Sequence, residues 1–363
     1  MSAQETINFT RGVPAVESFP TADLTGCTAA VLAQHADVML QYGPAAGFAP
    51  LRSWLAEWQG VKPEQVLTGN GSLELVEFLC TAMIKPGDVV FTESPSYDRA
   101  ITLFRRHGAN VVGVPLQADG PDLDALEKLL AQHKPKLFYV IPDFQNPSGA
   151  TCSAAKRRRL VEIAERHDLL LLEDAPYRLL RYRGADEPTL FSLAPHRVLH
   201  MTSFTKLIAP GVRLGFMIGD AAKLAKIGKV AEDTYISPGY FAHGVTYEWL
   251  RAGKLGPQIE KLKALYAPRL DAILAALDKY IPDAVATRPD GGFFLSLTLP
   301  EGVATTDLRA AAAKHGLNLA DGLAFFPQGG GERFLRLPFC ALTAAQIDEG
   351  IRRLALAVKD VRR

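Results

Sequence analysis

The chain has 363 residues, 48% of them hydrophobic, and a formal net charge of +1. That length exceeds the roughly 250–300 residues at which a single core stops growing, so two closely packed domains are expected. A charge this near zero argues against a dominant electrostatic partner, and neither a nucleic acid nor an anionic membrane surface is expected. Cys27, Cys80, Cys152 and Cys340 are scattered without a Cys-x-x-Cys pair, which predicts reduced thiols and no disulfide framework or metal site. No stretch reaches the roughly 18 apolar residues of a membrane span. The start, Met1 to Thr6, lacks the basic and apolar regions of a signal peptide, so a cytoplasmic location is expected.

Ile7-Asn8-Phe9 reads as a short extended segment, and Arg11-Gly12-Val13-Pro14 with Phe19-Pro20 as an irregular, loop-like continuation. The word Tyr42-Gly43-Pro44 reads as a turn before a helix over 50–58. Between residues 63 and 220, apolar strands at 65–68, 89–92, 111–114, 137–141, 169–173, 198–201 and 214–218 are interleaved with helices at 73–84, 97–106, 123–133 and 154–167. Such alternation implies right-handed crossovers and a mostly parallel seven-stranded sheet sandwiched by helices. The basic run Lys156-Arg157-Arg158-Arg159 opens the last of those helices and reads as a solvated face. A helical region over 241–280 follows, with 258–277 long enough to bridge two domains. Segments at 284–288 and 291–297, a helix at 306–315, a strand at 334–337 and a helix at 343–361 do not alternate simply. They suit a smaller α+β domain. The expected fold class is therefore α/β, with a large domain over 42–255 and a small one formed by 1–41 and 256–363. The chain shows no internal repeat and no low-complexity tract.

Three successive strands end in polar groups: Gln145-Asn146-Pro147-Ser148-Gly149 after 137–141, Asp174-Ala175-Pro176-Tyr177 after 169–173, and Ser203 to Lys206 after 198–201. In an open α/β sheet the carboxyl edge of the strands is where ligands bind. Gly69-Asn70-Gly71-Ser72 lies between a strand and the helix opening at Leu73, so its amides and the Ser72 hydroxyl could cradle a dianion, with Ser203 and Arg213 adding a hydroxyl and a guanidinium. Period-2 alternation places Glu173 and Asp174 on opposite faces of their strand. Arg336, flanked by apolar residues on a strand, is costly unless it is paired.

The ordered set Asn-Pro-Ser-Gly (146–149), Asp-x-x-Tyr (174–177), Ser-x-x-Lys (203–206) and Arg-x-Gly (213–215) resembles the fold-type I pyridoxal 5′-phosphate (PLP) enzymes, class I/II aminotransferases. The flanking words Phe144-Gln145-Asn146-Pro147 and Glu173-Asp174-Ala175-Pro176-Tyr177 resemble the branch holding 2-aminoadipate aminotransferases and the aminotransferase-like domains of GntR/MocR-type regulators. The likeness runs from about Gly12 to Arg336. It implies Lys206 as the Schiff-base lysine and proton carrier, with its pKa depressed by Arg213, the protonated ring and partial burial. It implies Asp174 at the pyridine nitrogen, and Asn146 and Tyr177 at the cofactor's phenolic oxygen. Tyr97 is implied as a ring-stacking lid, and Ser72, Leu73, Ser203 and Arg213 as the phosphate site. A packed core tyrosine remains the alternative for Tyr97, and a turn residue for Asn146.

By the same resemblance Arg336 clamps the substrate α-carboxylate, the alternative being a structural salt bridge. Gly12 lets an N-terminal arm approach the substrate, and Arg11 either contacts a substrate carboxylate or is an exposed loop arginine. Tyr42 would reach the cofactor phosphate of a neighbouring subunit, implying a homodimer with sites at the interface. Thr205 stands where many relatives have serine, and Leu73-Glu74 replaces a commoner Gln-containing continuation of the phosphate turn. The implied activity is transfer of an α-amino group from a 2-aminoadipate, branched-chain or aromatic amino acid to a 2-oxo acid, 2-oxoglutarate being the expected acceptor, by a ping-pong Schiff-base mechanism. Aromatic residues such as Phe9, Phe19, Tyr235, Tyr240, Phe325 and Phe326 would permit an apolar donor side chain. The alternatives are another PLP reaction on the same fold, a decarboxylase or β-lyase, or a non-catalytic amino-acid sensor. Because the likeness begins by Ile7, no DNA-binding domain is expected.

Overall fold

The computed structural model describes residues 5–362; Met1 to Gln4, part of the segment weighed against a signal peptide, and Arg363 lie outside the described residues. The chain opens with β1 (Ile7–Phe9), α1 (Thr21–Met39) and α2 (Ala49–Gln59). Alternation then sets in with β2 (Val66–Gly69), α3 (Ser72–Met83), β3 (Val89–Ser94), α4 (Asp98–Arg106), β4 (Asn110–Gln117), β5 (Gly120–Pro121) and α5 (Leu123–Leu130). It continues through β6 (Pro135–Val140), α6 (Ala154–Arg166), β7 (Leu171–Asp174), α7 (Leu190–Leu193), β8 (Val198–Ser203) and β9 (Gly215–Ile218). Helices α8 (Ala221–Tyr235), α9 (Tyr240–Arg251) and α10 (Leu255–Tyr280) lead to β10 (Val285–Ala286), β11 (Phe294–Thr298), α11 (Thr305–Lys314), β12 (Leu317–Leu319), β13 (Phe334–Pro338) and α12 (Ala344–Val361).

Local chemistry sets many of these boundaries. Asp122 caps α5 by accepting from the amides of Asp124 and Ala125, Ser153 caps α6 through Lys156 N, and Thr343 with Gln346 forms a capping box on α12. Gly60 ends α2 in the left-handed region at φ 67°.

The central sheet runs β2-β9-β8-β7-β6-β3-β4-β5. All seven expected strands are present, and the two-residue β5 adds an antiparallel eighth at one edge. Strands β4, β3, β6, β7 and β8 are parallel neighbours, whereas β9 runs antiparallel to both β8 and β2. The reversal of β9 matters for the site. Gly215, where β9 starts, pairs with Ser203 and Gly69 at the carboxyl ends of β8 and β2, so the residues just before β9 arrive at the ligand edge.

The two faces of the sheet bury separate apolar sets. Phe138, Val140 and Leu171 point to one core, Leu137, Tyr139 and Leu172 to the other, as a doubly covered sheet requires. A third core forms under the antiparallel sheet β10-β11-β13 with α11 and α12. Helix α10 joins two of these cores: Leu262 and Tyr266 pack in the first, Leu270, Ile273 and Leu274 in the third.

Residues 1–41, grouped with the small domain by the sequence reading, divide in their packing. Strand β1 pairs in parallel with β12, while α1 packs on α9. The basic run on α6 needs a correction. Arg158 and Arg159 are exposed, but Arg157 is fully buried, 2.8 Å from Asp143 and donating to the carbonyls of Cys152, Pro142 and Pro188. Leu160 lies three residues on along the buried face, so helical spacing carries the guanidinium inward, where a carboxylate and three carbonyls satisfy it.

Candidate active site

The carboxyl edge of the sheet opens into a cleft of about 520 Å³. Lys206, Asp174, Tyr177, Asn146, Tyr97, Ser72, Leu73, Ser203, Arg213, Arg336, Gly12 and Arg11 all line it. Tyr42 does not; it is 72% exposed on the surface of the chain.

Lys206 follows β8, and its Nζ donates to the Gly12 carbonyl at 3.0 Å and lies 5.7 Å from the centre of the Phe293 ring. Burial pushes its pKa down; the Cys340 thiol opposes this and the Arg336 guanidinium reinforces it. Arg336, rather than the expected Arg213, is thus the cation acting on the lysine.

Asp174 ends β7 and is buried. Its Oδ2 accepts a 2.6 Å hydrogen bond from the Tyr139 hydroxyl, whereas Oδ1 is buried without a partner. Burial raises its pKa to about 6, with Tyr139 and His200 pulling the other way. Glu173 faces the opposite side, as alternation predicted, accepting from the amides of Leu190 and Phe191 and pairing with His200 Nδ1 at 2.9 Å.

Arg336, on β13, reaches in from the small sheet. Its Nη1 donates to Asn146 Oδ1 at 2.9 Å and its Nη2 to the Thr10 carbonyl at 2.8 Å; Nε is buried and unpartnered. The guanidinium lies between the rings of Phe294 and Phe325, 4.8 and 4.7 Å from their centres. No carboxylate forms an ion pair with it among the described residues, which leaves the salt-bridge alternative without a partner.

At the β2–α3 turn, Gly71 (φ 100°) lies against Arg213, so that a Cβ there would sit 2.6 Å from Nη2. A Cβ on Gly215 would meet the Ser72 amide nitrogen at 2.4 Å. Both glycines therefore let a guanidinium and a strand end close on the amides that open α3. Arg213 Nη2 donates to the Asn70 carbonyl, and Glu74 accepts from the Asn70 amide at 2.7 Å. Glu74, part of the departure from the commoner Gln-containing continuation, thus fastens the turn.

Tyr177 is buried, its ring edge-on to Phe294, and burial raises its pKa well above the usual phenol value. Tyr97 stands at the head of α4 with its pKa pushed up to about 12 by burial. Gly12 has no room for a side chain, since a Cβ would lie 2.2 Å from the Phe294 ring. Arg11 is exposed at the cleft wall.

Sequence reasoning missed Tyr139, although its place one strand from Asp174 was visible in the apolar run 137–141. It also missed the buried pair Glu93 and Gln145. Gln145 Nε2 donates to Glu93 and to the Pro95 carbonyl, while its Oε1 accepts from the Ser148 amide and hydroxyl. This amide ties the turn bearing Asn146 to the strap bearing Tyr97. Burial raises Glu93 to about 8.

A family described as aspartate amino-transferase matches residues 2–362. The chain belongs to this aminotransferase family. Among its relatives is a 2-aminoadipate transaminase of Thermus thermophilus, 36% identical, with 97% of this chain and 90% of that protein covered. An aromatic-amino-acid aminotransferase of Thermococcus litoralis is 34% identical over 99% of this chain and 89% of its own length. Among solved structures, the Thermus thermophilus α-aminoadipate aminotransferase, complexed with N-(5′-phosphopyridoxyl)-L-leucine, superposes with a TM-score of 0.95 at 35% identity, covering 98% of this chain and 93% of that one. The aminotransferase is a PLP enzyme of fold type I, and its cleft fits that cofactor. The bare buried oxygen of Asp174 suits a pyridinium N–H, and Gly71 lets the Arg213 guanidinium close on the turn that opens α3, setting a cation beside backbone N–H groups as a phosphate requires.

Proposed function

We propose that the aminotransferase uses Lys206, Asp174 and Arg336 as its three working groups, transferring the α-amino group of a 2-aminoadipate, branched-chain or aromatic amino acid to 2-oxoglutarate. One observation carries the reading: a lysine of lowered pKa, a buried carboxylate with one free oxygen and a buried guanidinium without a carboxylate partner share one cleft. Bound PLP supplies the electron sink for charge developing at the substrate α-carbon. Ser72, Leu73, Ser203 and Arg213 would hold its phosphate end, Asp174 its ring nitrogen and Asn146 and Tyr177 its phenolic oxygen, and Tyr97 would cover its ring. Arg336 presents a planar fork to the α-carboxylate while Asn146 and Thr10 keep it from swinging. Lys206 Nζ, held below the ordinary lysine range by burial, would take up the proton that leaves the substrate α-carbon and hold it at Nζ for onward transfer.

The apolar rings Phe294 and Phe325 beside Arg336 and the leucine adduct of the Thermus relative support an apolar donor side chain. Arg11 adds a cation for a distal carboxylate. Exposed Tyr42 fits a role in the phosphate site of a second copy, so the working form is a homodimer with shared sites. The scattered cysteines, without a disulfide framework in their spacing, support a place in the cytoplasm. Separately, no helix of the described residues is long and apolar enough to cross a membrane. A donor panel with 2-oxoglutarate, read as glutamate formed per 2-oxo acid released, tests the assignment. Equal yields are expected, and release of carbon dioxide or pyruvate without glutamate would overturn it.

A further inference from the structure

We infer that Tyr139 is a positioning residue for the cofactor: by holding one oxygen of Asp174 it aims the other at the pyridine nitrogen and keeps the carboxyl ionised. The inference rests on the cofactor reading above. Parallel pairing of β6 with β7 sets Tyr139 opposite Leu172, so Tyr139 and Asp174 lie on one face, two residues apart along the strand direction. That diagonal suits the length of a phenol. The hydroxyl donates to Asp174 Oδ2 at 2.6 Å, and among the described residues it is the one hydrogen-bond donor to that carboxylate. Phe104 meets the Tyr139 ring edge-on at 5.9 Å, fixing its plane. The Tyr139 hydroxyl stays protonated throughout the working range, because burial and the Asp174 charge raise its pKa well above the usual value. It is therefore a permanent donor.

Other groups facing Asp174 do not replace it. His200, on β8, acts on Asp174 by charge alone, its Nδ1 being engaged with Glu173. Tyr97 at the head of α4 and Tyr177 beyond β7 couple to Asp174 only through charge, and Lys206 and Arg336 across the cleft bond elsewhere. Without Tyr139 the carboxyl would be free to rotate and to take up a proton, and a protonated Asp174 forfeits its attraction for a pyridinium.

The test is binding of pyridoxamine 5′-phosphate to the cofactor-free chain, followed by tryptophan fluorescence. That probe has no carbonyl, so its affinity does not pass through Lys206. With Asp174 at about 6 and a rise of about one pKa unit on losing its donor, Tyr139→Phe should weaken binding about fivefold near pH 6, approach about tenfold near pH 5, and weaken it by less than about twofold near pH 9, where the carboxyl is ionised in both proteins. In an Asp174→Asn background the same change should have no pH-dependent effect. A 3-fluorotyrosine at position 139, a stronger donor of nearly the same shape, should tighten binding near pH 6; it carries the test if Tyr139→Phe fails to fold. A loss equal at both pH values, or an unchanged affinity with fluorotyrosine, reduces Tyr139 to a packing residue and overturns the inference. Failure of the unaltered chain to bind the probe at any pH would instead overturn the cofactor reading, and this inference with it.

Discussion

Replacing Arg336 by lysine isolates what the guanidinium contributes beyond its charge. The native group is clamped at 2.9 Å by Asn146 and 2.8 Å by Thr10, sandwiched by Phe294 and Phe325, with Nε unpartnered. A lysine keeps one positive charge but has no planar fork, so a substrate carboxylate loses one of two charge-assisted hydrogen bonds, about 1.5–3 kcal/mol. An ammonium also cannot bond Asn146, Thr10 and substrate in the same plane, which adds to the loss. A total near 3 kcal/mol corresponds to a fall of about 150-fold in kcat/KM. The assay is single-turnover consumption of the amino group, comparing an amino acid with the amine of the same side chain that lacks the carboxylate. The amino acid should lose about 150-fold and the amine less than about threefold, because the amine never used the fork. Equal losses on both would show that Arg336 serves to hold Asn146 rather than substrate, and an unchanged kcat/KM for the amino acid would refute the clamp outright.

Gly12→Ala places a Cβ 2.2 Å from the Phe294 ring, which Tyr177 and Arg336 hold in turn, so thermal unfolding should show a loss of about 1–3 kcal/mol together with weaker substrate binding. Glu93, raised by burial to about 8, is a group whose folded pKa lies above its unfolded one; its contribution to stability is complete below about 4.5 and is lost as pH rises through 8. Glu93→Gln should therefore stabilise the cofactor-free chain near pH 9 by on the order of 2–4 kcal/mol, seen as a higher melting temperature, and change its stability little near pH 5. Mixing Tyr42→Ala with Lys206→Ala chains should restore activity in about a quarter of the sites, since half the dimers are hybrids and each hybrid has one complete site. No recovery would place Tyr42 outside the site.

The sheet and most of the cleft were legible because β strands with near-continuous apolar runs end abruptly in polar words, and the crossover rule sends those ends to one edge. Asp174 and Glu173 were separable by alternation alone. Helix α1 was not legible: Thr21–Met39 has no side-chain N-cap, carries Gly26, kinks at His35 and buries only Val31 and Met39 fully, so it shows little apolar period. The buried Arg157 was hidden within a basic run whose other members face outward, because the sequence does not show that Asp143 waits beneath it. Tyr139 escaped for a related reason. Its strand was found, but the register that sets it beside Asp174 is a property of the paired strands, not of either one. The antiparallel course of β9, which delivers Arg213 to the edge, likewise depends on a pairing that alternation of strand and helix does not encode.

The most direct test of the account is where the cofactor attaches. The chain would be loaded with PLP, reduced with borohydride, digested and mapped by mass spectrometry. The label should fall on Lys206, the visible absorption of the loaded protein should fade on adding donor amino acid and return on adding a 2-oxo acid, and Lys206→Ala should carry neither label nor colour. A label on another lysine, or colour that persists in Lys206→Ala, would contradict the assignment on which the rest of the site depends.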